Sequence, residues 1–104
     1  MYRARSINGV IIRLPDERIA HITNNHPEVS GHLAWIKETI ENPDLILCGD
    51  YSELIALKLF NKTPITDFKY LAVIYREKSN HDGFVLTAYF CSNYNKRRKV
   101  LWKH

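Results

Sequence analysis

The sequence contains few of the residues that mark special protein classes. Its 104 residues include only two cysteines, one methionine, four glycines and four prolines, so neither a disulfide framework nor a fibrous repeat is indicated. No apolar run approaches the roughly 20 residues that cross a bilayer, and no apolar core or cleavage site follows the basic N-terminus. We therefore expect one cytoplasmic domain over 1–104, with no membrane partner and with buried free thiols at Cys48 and Cys91.

Acidic residues are absent from the last fifth of the chain. Residues 1–82 hold ten Lys or Arg and eleven Asp or Glu, whereas residues 83–104 hold five Lys or Arg and no acid. The net charge of +4 therefore lies in this last segment, whose basic cluster is Lys96, Arg97, Arg98 and Lys99. Basic side chains neutralise phosphates and aromatic ones such as Tyr94 and Trp102 stack on bases. The cluster is typical of an RNA-binding surface or of a solvated terminus.

The order of the secondary-structure signals predicts helices followed by strands. Asn8-Gly9 favours a hairpin, Pro15-Asp16 opens a helix that ends before His26-Pro27, and apolar spacing predicts a second helix from about 28 to 41. Strand-like segments follow at 45–48, 54–60, 70–75, 84–91 and 100–102, although 53–60 also suits a helix. The predicted fold class is α+β, with two N-terminal helices packed on one face of a four- to five-stranded antiparallel sheet.

The segment from Ala20 to Glu28 (AHITNNHPE) holds two imidazoles. Imidazole titrates near neutrality, so two of them suit proton transfer in both directions. His21 shares a helix face with Asn24 and Asn25, and His26 falls where the helix ends. Structural roles for the two histidines, as a hydrogen-bonded helix residue and a C-terminal cap, are the alternatives. Their spacing is not the one-turn separation of two zinc ligands on a helix, so no metal or other cofactor is expected.

The strand over 84–90 presents two hydroxyl groups on one face. Strict alternation places Val85, Thr87 and Tyr89 on one side and Phe84, Leu86, Ala88 and Phe90 in the core. The hydroxyl-bearing residues Thr87 and Tyr89 then lie about 7 Å apart along the strand. Both are also ordinary strand residues. On the preceding strand, Lys69 and Arg76 are cations that could stabilise charge developing on phosphorus.

These residues occur in an order that resembles a nuclease superfamily. The strings His21-Ile22, His26-Pro27-Glu28, TIENPD (39–44), YLAV (70–73) and VLTAY (85–89) resemble phage-associated members of the barnase–EndoU–colicin–RelE-like nucleases, over about 16–92. The resemblance implies a helix-then-antiparallel-sheet fold and metal-independent RNA cleavage by a toxin or phage effector. It also implies that His21 and His26 border the active cleft, that Thr87 and Tyr89 lie on the catalytic strand, and that either Arg76 or Lys69 stabilises the phosphate.

The first hypothesis is therefore an endoribonuclease that forms a 2′,3′-cyclic phosphate. One histidine would deprotonate the 2′-hydroxyl and the other, or Tyr89, would protonate the leaving oxygen. The side chains expected to bind substrate are Asn24, Asn25, Lys69, Lys96, Arg97, Arg98 and Lys99. By analogy, an acidic antitoxin or immunity protein is the expected partner besides RNA. The alternatives are a non-catalytic RNA- or protein-binding module on the same scaffold, and a DNA nuclease.

Overall fold

The computed structural model describes residues 2–104 and contains one mixed sheet with helices between its second and third strands. In chain order the elements are β1 (Tyr2–Arg5), β2 (Ile11–Leu14), α1 (Asp16–Asn25), a 3-10 helix (Pro27–Val29), α2 (Leu33–Glu41), β3 (Leu45–Cys48), β4 (Leu54–Lys62), β5 (Asp67–Glu77), β6 (Gly83–Cys91) and β7 (Val100–Lys103). The strand order across the sheet is β1-β2-β6-β5-β4-β3-β7. Neighbouring strands are antiparallel except β2 and β6, which are parallel.

The predicted fold class is wrong in the size and order of the sheet. The protein is mixed α+β, but its sheet has seven strands instead of four to five, and β1 and β2 precede the helices. The strand β2 joins the sheet by pairing Ile12 with Gly83 and Arg13 with Phe84. Periodicity reports only local structure, so it could not show that this N-terminal hairpin extends the sheet built by the second half of the chain.

Local signals in the helical segment had the predicted effect, with one interruption. The helix α1 ends at Asn25, and its capping residue His26, whose φ of −133° is not helical, lies directly before Pro27. The second helix was expected from about residue 28, but Gly31 adopts a φ of +79° and α2 begins only at Leu33. The left-handed conformation suits glycine and separates the 3-10 helix from α2. The ambiguous segment from Leu54 is a strand.

The two faces of the sheet are covered differently. The helices pack on one face, where the main core contains Ile22, Val29, Ile36 and Ile40 of the helical segment together with Leu71, Val73, Tyr75, Ala88 and Phe90 of the sheet. The opposite face, here called the open face, carries a smaller cluster of Leu45, Leu47, Leu57 and Ala72. Residues 92–99, here called the crossing loop, connect β6 to β7 over this face, since three strands lie between the two.

A β-bulge at Leu86 changes which side chains of β6 face the core. Ile74 lies opposite Thr87, but Tyr75 lies opposite Val85, so Leu86 is the extra residue. A bulge shifts the alternation of the strand by one position. Consequently Val85 is buried in the core, and the prediction that Phe84 and Leu86 occupy it is wrong, whereas Ala88 and Phe90 are core residues as expected.

Two further expectations concern the thiols and the membrane. Cys48 and Cys91 are free, as predicted, but each is only partly buried. No helix in residues 2–104 has the length and apolar character required to cross a bilayer.

Candidate functional site

A histidine from the helical segment lies against a tyrosine of the sheet. The rings of His26 and Tyr89 are 5.4 Å apart between centroids and tilted by 33°. The pairing of β2 with β6 involves only residues 83 and 84 of β6, and the later part of β6 contacts α1 and the 3-10 helix. The end of α1 therefore brings an imidazole to the strand that carries Thr87 and Tyr89.

The carboxylate of Glu28 lies near the imidazole of this histidine. Nδ1 of His26 is 3.8 Å from Oε2 of Glu28, and 35% of the His26 side chain is exposed. The separation is longer than a hydrogen bond, but it allows attraction when the imidazole is protonated. Within residues 2–104 the ring nitrogens of His26 have no hydrogen-bond partner, so Nε2 is free to contact a ligand.

The Tyr89 hydroxyl is a proton donor at neutral pH. Burial raises its pKa above the ordinary value; Cys91 raises it further, and Arg98 acts in the opposite direction. The phenol can therefore donate a hydrogen bond or a proton, but it does not act as a base near neutrality. Burial likewise raises the pKa of the Cys91 thiol, with Lys69 acting in the opposite direction.

Three cavities on the open face share Arg98. One of about 190 Å³ lies between the sheet and the crossing loop, one of about 280 Å³ adjoins Thr87, and one of about 350 Å³ lies along Arg97 and Lys99. The first two also share Ile55 and Tyr89. We refer to these three cavities together as the Tyr89 cleft.

The guanidinium of Arg98, which borders all three cavities, hydrogen-bonds to the protein through only one of its nitrogens within residues 2–104. Its Nη1 lies 2.8 Å from a carboxylate oxygen of Asp50 and 3.4 Å from the carbonyl oxygen of Cys48. In the described part of the chain its Nε and Nη2 donate to no protein group. An anion such as a phosphate can therefore bind the free side of the guanidinium while Asp50 holds the other side.

Comparison with known proteins identifies no similar protein. No protein-family model, curated protein or solved structure matches the chain.

Of the two cations predicted to bind phosphate, Arg76 shares a face with Tyr89. On β5 it alternates with Ala72 and Ile74, which belong to the open face, and its Nη1 donates to the carbonyl oxygen of Tyr51 at 3.2 Å. Tyr51 in turn lines the 280 Å³ cavity.

Lys69 lies on the opposite face from this cleft. It alternates with Leu71 and Val73, which are core residues under the helices, and its ammonium group donates to the Ser92 hydroxyl. The structure therefore does not bring Lys69 together with Thr87 and Tyr89.

The structure also does not bring His21 to the cleft. Its side chain is exposed on α1, and its Nε2 lies 3.2 Å from the amide nitrogen of Asn25. Five residues correspond to about 140° of rotation around a helix, so His21 and the helix end at His26 point in different directions. Asn24 and Asn25 are exposed on α1 with it.

The basic cluster is divided between cleft and solvent. Arg97, Arg98 and Lys99 line the 350 Å³ cavity, whereas the Lys96 ammonium lies 3.6 Å above the centre of the Tyr94 ring. Among residues 2–104 no three His, Cys, Asp or Glu side chains are grouped so that they could hold a metal ion.

Several side chains at the site were not predicted from the sequence. Glu28 was detectable, because it follows His26 by two residues. Asn93 and Asn95 flank Tyr94 directly after a strand, and this Asn-Tyr-Asn string is also a local signal. No local sequence signal pointed to Asp50, because its partner Arg98 is distant in sequence and the two residues meet only when the crossing loop passes over the sheet.

Proposed function

We propose that this protein is a metal-independent endoribonuclease whose reaction takes place in the Tyr89 cleft. The observation that carries the proposal is the contact of His26 with Tyr89, which itself lines the cavity of about 280 Å³ together with Thr87 and Arg98. A base, a proton donor and a cation are the groups that transfer of a phosphoryl group from one oxygen to another requires. The resemblance of the sequence to the barnase–EndoU–colicin–RelE-like nucleases supports the same activity.

In the proposed reaction His26 is the general base. Its Nε2 accepts the proton of a ribose 2′-hydroxyl, whose oxygen attacks the adjacent phosphorus, and the bond from phosphorus to the 5′-oxygen breaks. Tyr89 gives its proton to that leaving oxygen, so the products are a 2′,3′-cyclic phosphate and a 5′-hydroxyl. The imidazolium and the phenolate then exchange protons with solvent and return to their starting states.

Three side chains have supporting roles in this scheme. Glu28 stabilises the imidazolium by its charge at 3.8 Å. Arg98 binds a non-bridging phosphate oxygen and stabilises the phenolate of Tyr89, because it opposes the rise in the Tyr89 pKa that burial causes. The Thr87 hydroxyl, which lines a cavity with Tyr89 and Arg98, donates to the second non-bridging oxygen.

A non-catalytic module that binds RNA or an acidic protein is the second candidate. It is favoured by the presence of one histidine at Tyr89 where two were expected, and by the Asp50 carboxylate that occupies one side of Arg98. The exposed Lys96, Arg97 and Lys99 suit either an RNA backbone or an acidic antitoxin or immunity protein.

The test is cleavage of end-labelled single-stranded RNA in the presence of excess chelator, with analysis of the product ends. We expect fragments that end in a 2′,3′-cyclic phosphate and begin with a 5′-hydroxyl. RNA that is bound but not cut would support the binding module instead. Cleavage only after magnesium is added would contradict the proposed reaction.

A further inference from the structure

The cavity of about 190 Å³ beneath the crossing loop has an apolar floor and aromatic walls. Its floor is formed by Leu47, Leu57 and Ala72, which are almost completely buried. Tyr89 and Tyr94 stand beside this floor. Apolar surfaces between aromatic side chains fit the faces of a planar heterocycle, because such rings stack and gain little from polar neighbours on their faces.

The Tyr94 ring is fixed in place before any ligand binds. It is nearly perpendicular to the Tyr70 ring, at 88° with centroids 5.5 Å apart, and the Lys96 ammonium caps one of its faces. A ring that is already held loses little conformational entropy when a second ring packs against it. The crossing loop thus presents Tyr94 as a preformed stacking surface.

The rim of the cavity offers hydrogen bonds of both kinds. Asn93 and Asn95 line it, and carboxamides carry the donors and acceptors that pair with the edges of bases. The Asn95 Oδ1 already accepts from the backbone N–H of Arg97 at 2.9 Å, which leaves its NH₂ group available. Arg98 is the only charged residue among the described residues that line this cavity, so an anionic group attached to the ring meets the side of its guanidinium that Asp50 does not occupy.

From these observations we propose that this cavity binds one unpaired nucleobase, with its phosphate at Arg98. The volume is below the range of about 300–1,000 Å³ typical of sites for larger ligands, which suits a single heterocycle. The inference rests on the proposed function and names its substrate class, because a base stacked in a duplex cannot enter. The enzyme therefore acts on single-stranded RNA beside the nucleotide whose base occupies the cavity.

Binding of uncleavable oligonucleotides to the full chain tests this site without relying on catalysis. The probes are a deoxyadenosine pentanucleotide and an abasic pentanucleotide of the same charge, measured by fluorescence anisotropy. The base-bearing probe is expected to bind roughly 5- to 150-fold more tightly, the range that one base–aromatic stack contributes. Equal affinity for the two probes would overturn the inference.

Variants of Tyr94 locate the effect in this cavity. Tyr94→Leu should remove most of the preference for the base-bearing probe, Tyr94→Phe should retain it, and the affinity for the abasic probe should stay the same in both. Asn93 is exposed, so Asn93→Ala does not disturb the floor of the cavity. This variant should also reduce the preference for the base-bearing probe over the abasic probe. If Tyr94→Leu and Asn93→Ala both keep the full preference for the base-bearing probe, the base binds elsewhere and the proposed site is wrong.

The failure of this inference and that of the ribonuclease proposal give different results. If the protein binds the base-bearing probe more tightly but cleaves no RNA, nucleobase binding in the cavity is supported and the ribonuclease proposal is rejected. If the protein cleaves an RNA hairpin stem as fast as the same sequence in unpaired form, and binds the two probes equally, the ribonuclease proposal is supported. The proposal that the cavity binds a nucleobase is then rejected.

Discussion

The imidazole of His26 and the phenol ring of Tyr89 lie 5.4 Å apart between centroids, one at the end of a helix and the other in the sheet. The contact exists because α1 must stop before Pro27, directly beside the part of β6 that β2 does not cover. A backbone constraint in the sequence thereby positions an imidazole beside a phenol, whereas the second histidine of the segment, His21, is exposed on α1.

Replacing Tyr89 by Phe should lower the rate of RNA cleavage by about 100- to 10,000-fold, the usual contribution of a general acid. The ring would remain, so packing against His26 should be preserved. The pKa of Tyr89 is raised, so the wild-type phenol keeps its proton at neutral pH and loses it only under alkaline conditions. Wild-type activity should fall as pH rises through that value, and the residual activity of Tyr89→Phe should lack this alkaline decline. An alkaline decline of the same shape in both proteins would assign the acid to another group.

Replacing Arg98 by Ala should reduce cleavage by about 100- to 1,000-fold, as removal of one donor to a developing charge does. Asp50→Asn is the matched variant, since it breaks the same ion pair but keeps the cation. It should retain cleavage at or above the wild-type rate. Steady-state kinetics on one RNA would distinguish the two variants, and an equal loss in both would give the ion pair a purely structural role.

Replacing Asp82 by Asn should lower the melting temperature slightly at pH 7 and not at all in strong acid. The side-chain hydrogen bond from Arg13, with Nε 2.7 Å from Oδ1, lowers the pKa of Asp82. A depressed pKa in the folded state stabilises the protein above the unfolded value of about 3.9 and ceases to do so as pH falls through the folded value. Thermal unfolding at pH 7 and at pH 2.5 measures this, and added salt should shrink the difference because the pair is partly exposed. A deficit of the same size at both pH values would mean that the ion pair is not its cause.

Replacing Tyr75 by Phe should leave stability unchanged or raise it by about 1 kcal/mol, because a buried hydroxyl without a partner is costly. Tyr75 is fully buried in the main core, and its hydroxyl bonds no group of residues 2–104. Burial raises its pKa, with the Glu77 carboxylate adding to the shift. Denaturant unfolding measures the change. Destabilisation by more than about 1 kcal/mol would show that the hydroxyl has a partner in solution.

The elements of this fold were largely predictable and their arrangement was not. Proline at position 27 ended α1 as expected, and alternation between Thr87 and Tyr89 correctly placed both on one face. The same alternation failed at Val85, because one bulged residue at Leu86 inverts the pattern and leaves no periodic signal. The parallel pairing of β2 with β6 depends on contacts between the ends of the chain, which local patterns do not encode.

For the site, the sequence supplied the residue types but not their grouping. It predicted His26, Thr87, Tyr89 and Arg98 as candidates. It could not show that the crossing loop would place Arg98 among three cavities, although strand alternation alone would have placed Lys69 and Arg76 on opposite faces. The place of Arg98 follows from strand order, because β7 joins the far edge of the sheet beside β3, whereas the face of Lys69 follows from its alternation with Leu71 and Val73 along β5.

In the proposed reaction His26, and not His21, is the base that acts beside Tyr89. The most direct measurement is the cleavage rate of one single-stranded RNA by His26→Ala and His21→Ala, both checked for native circular dichroism and RNA binding. We expect His26→Ala to lose about 100- to 10,000-fold in rate and His21→Ala to stay within about twofold of the wild type. Full activity in His26→Ala, or an equal loss in His21→Ala, would contradict this account.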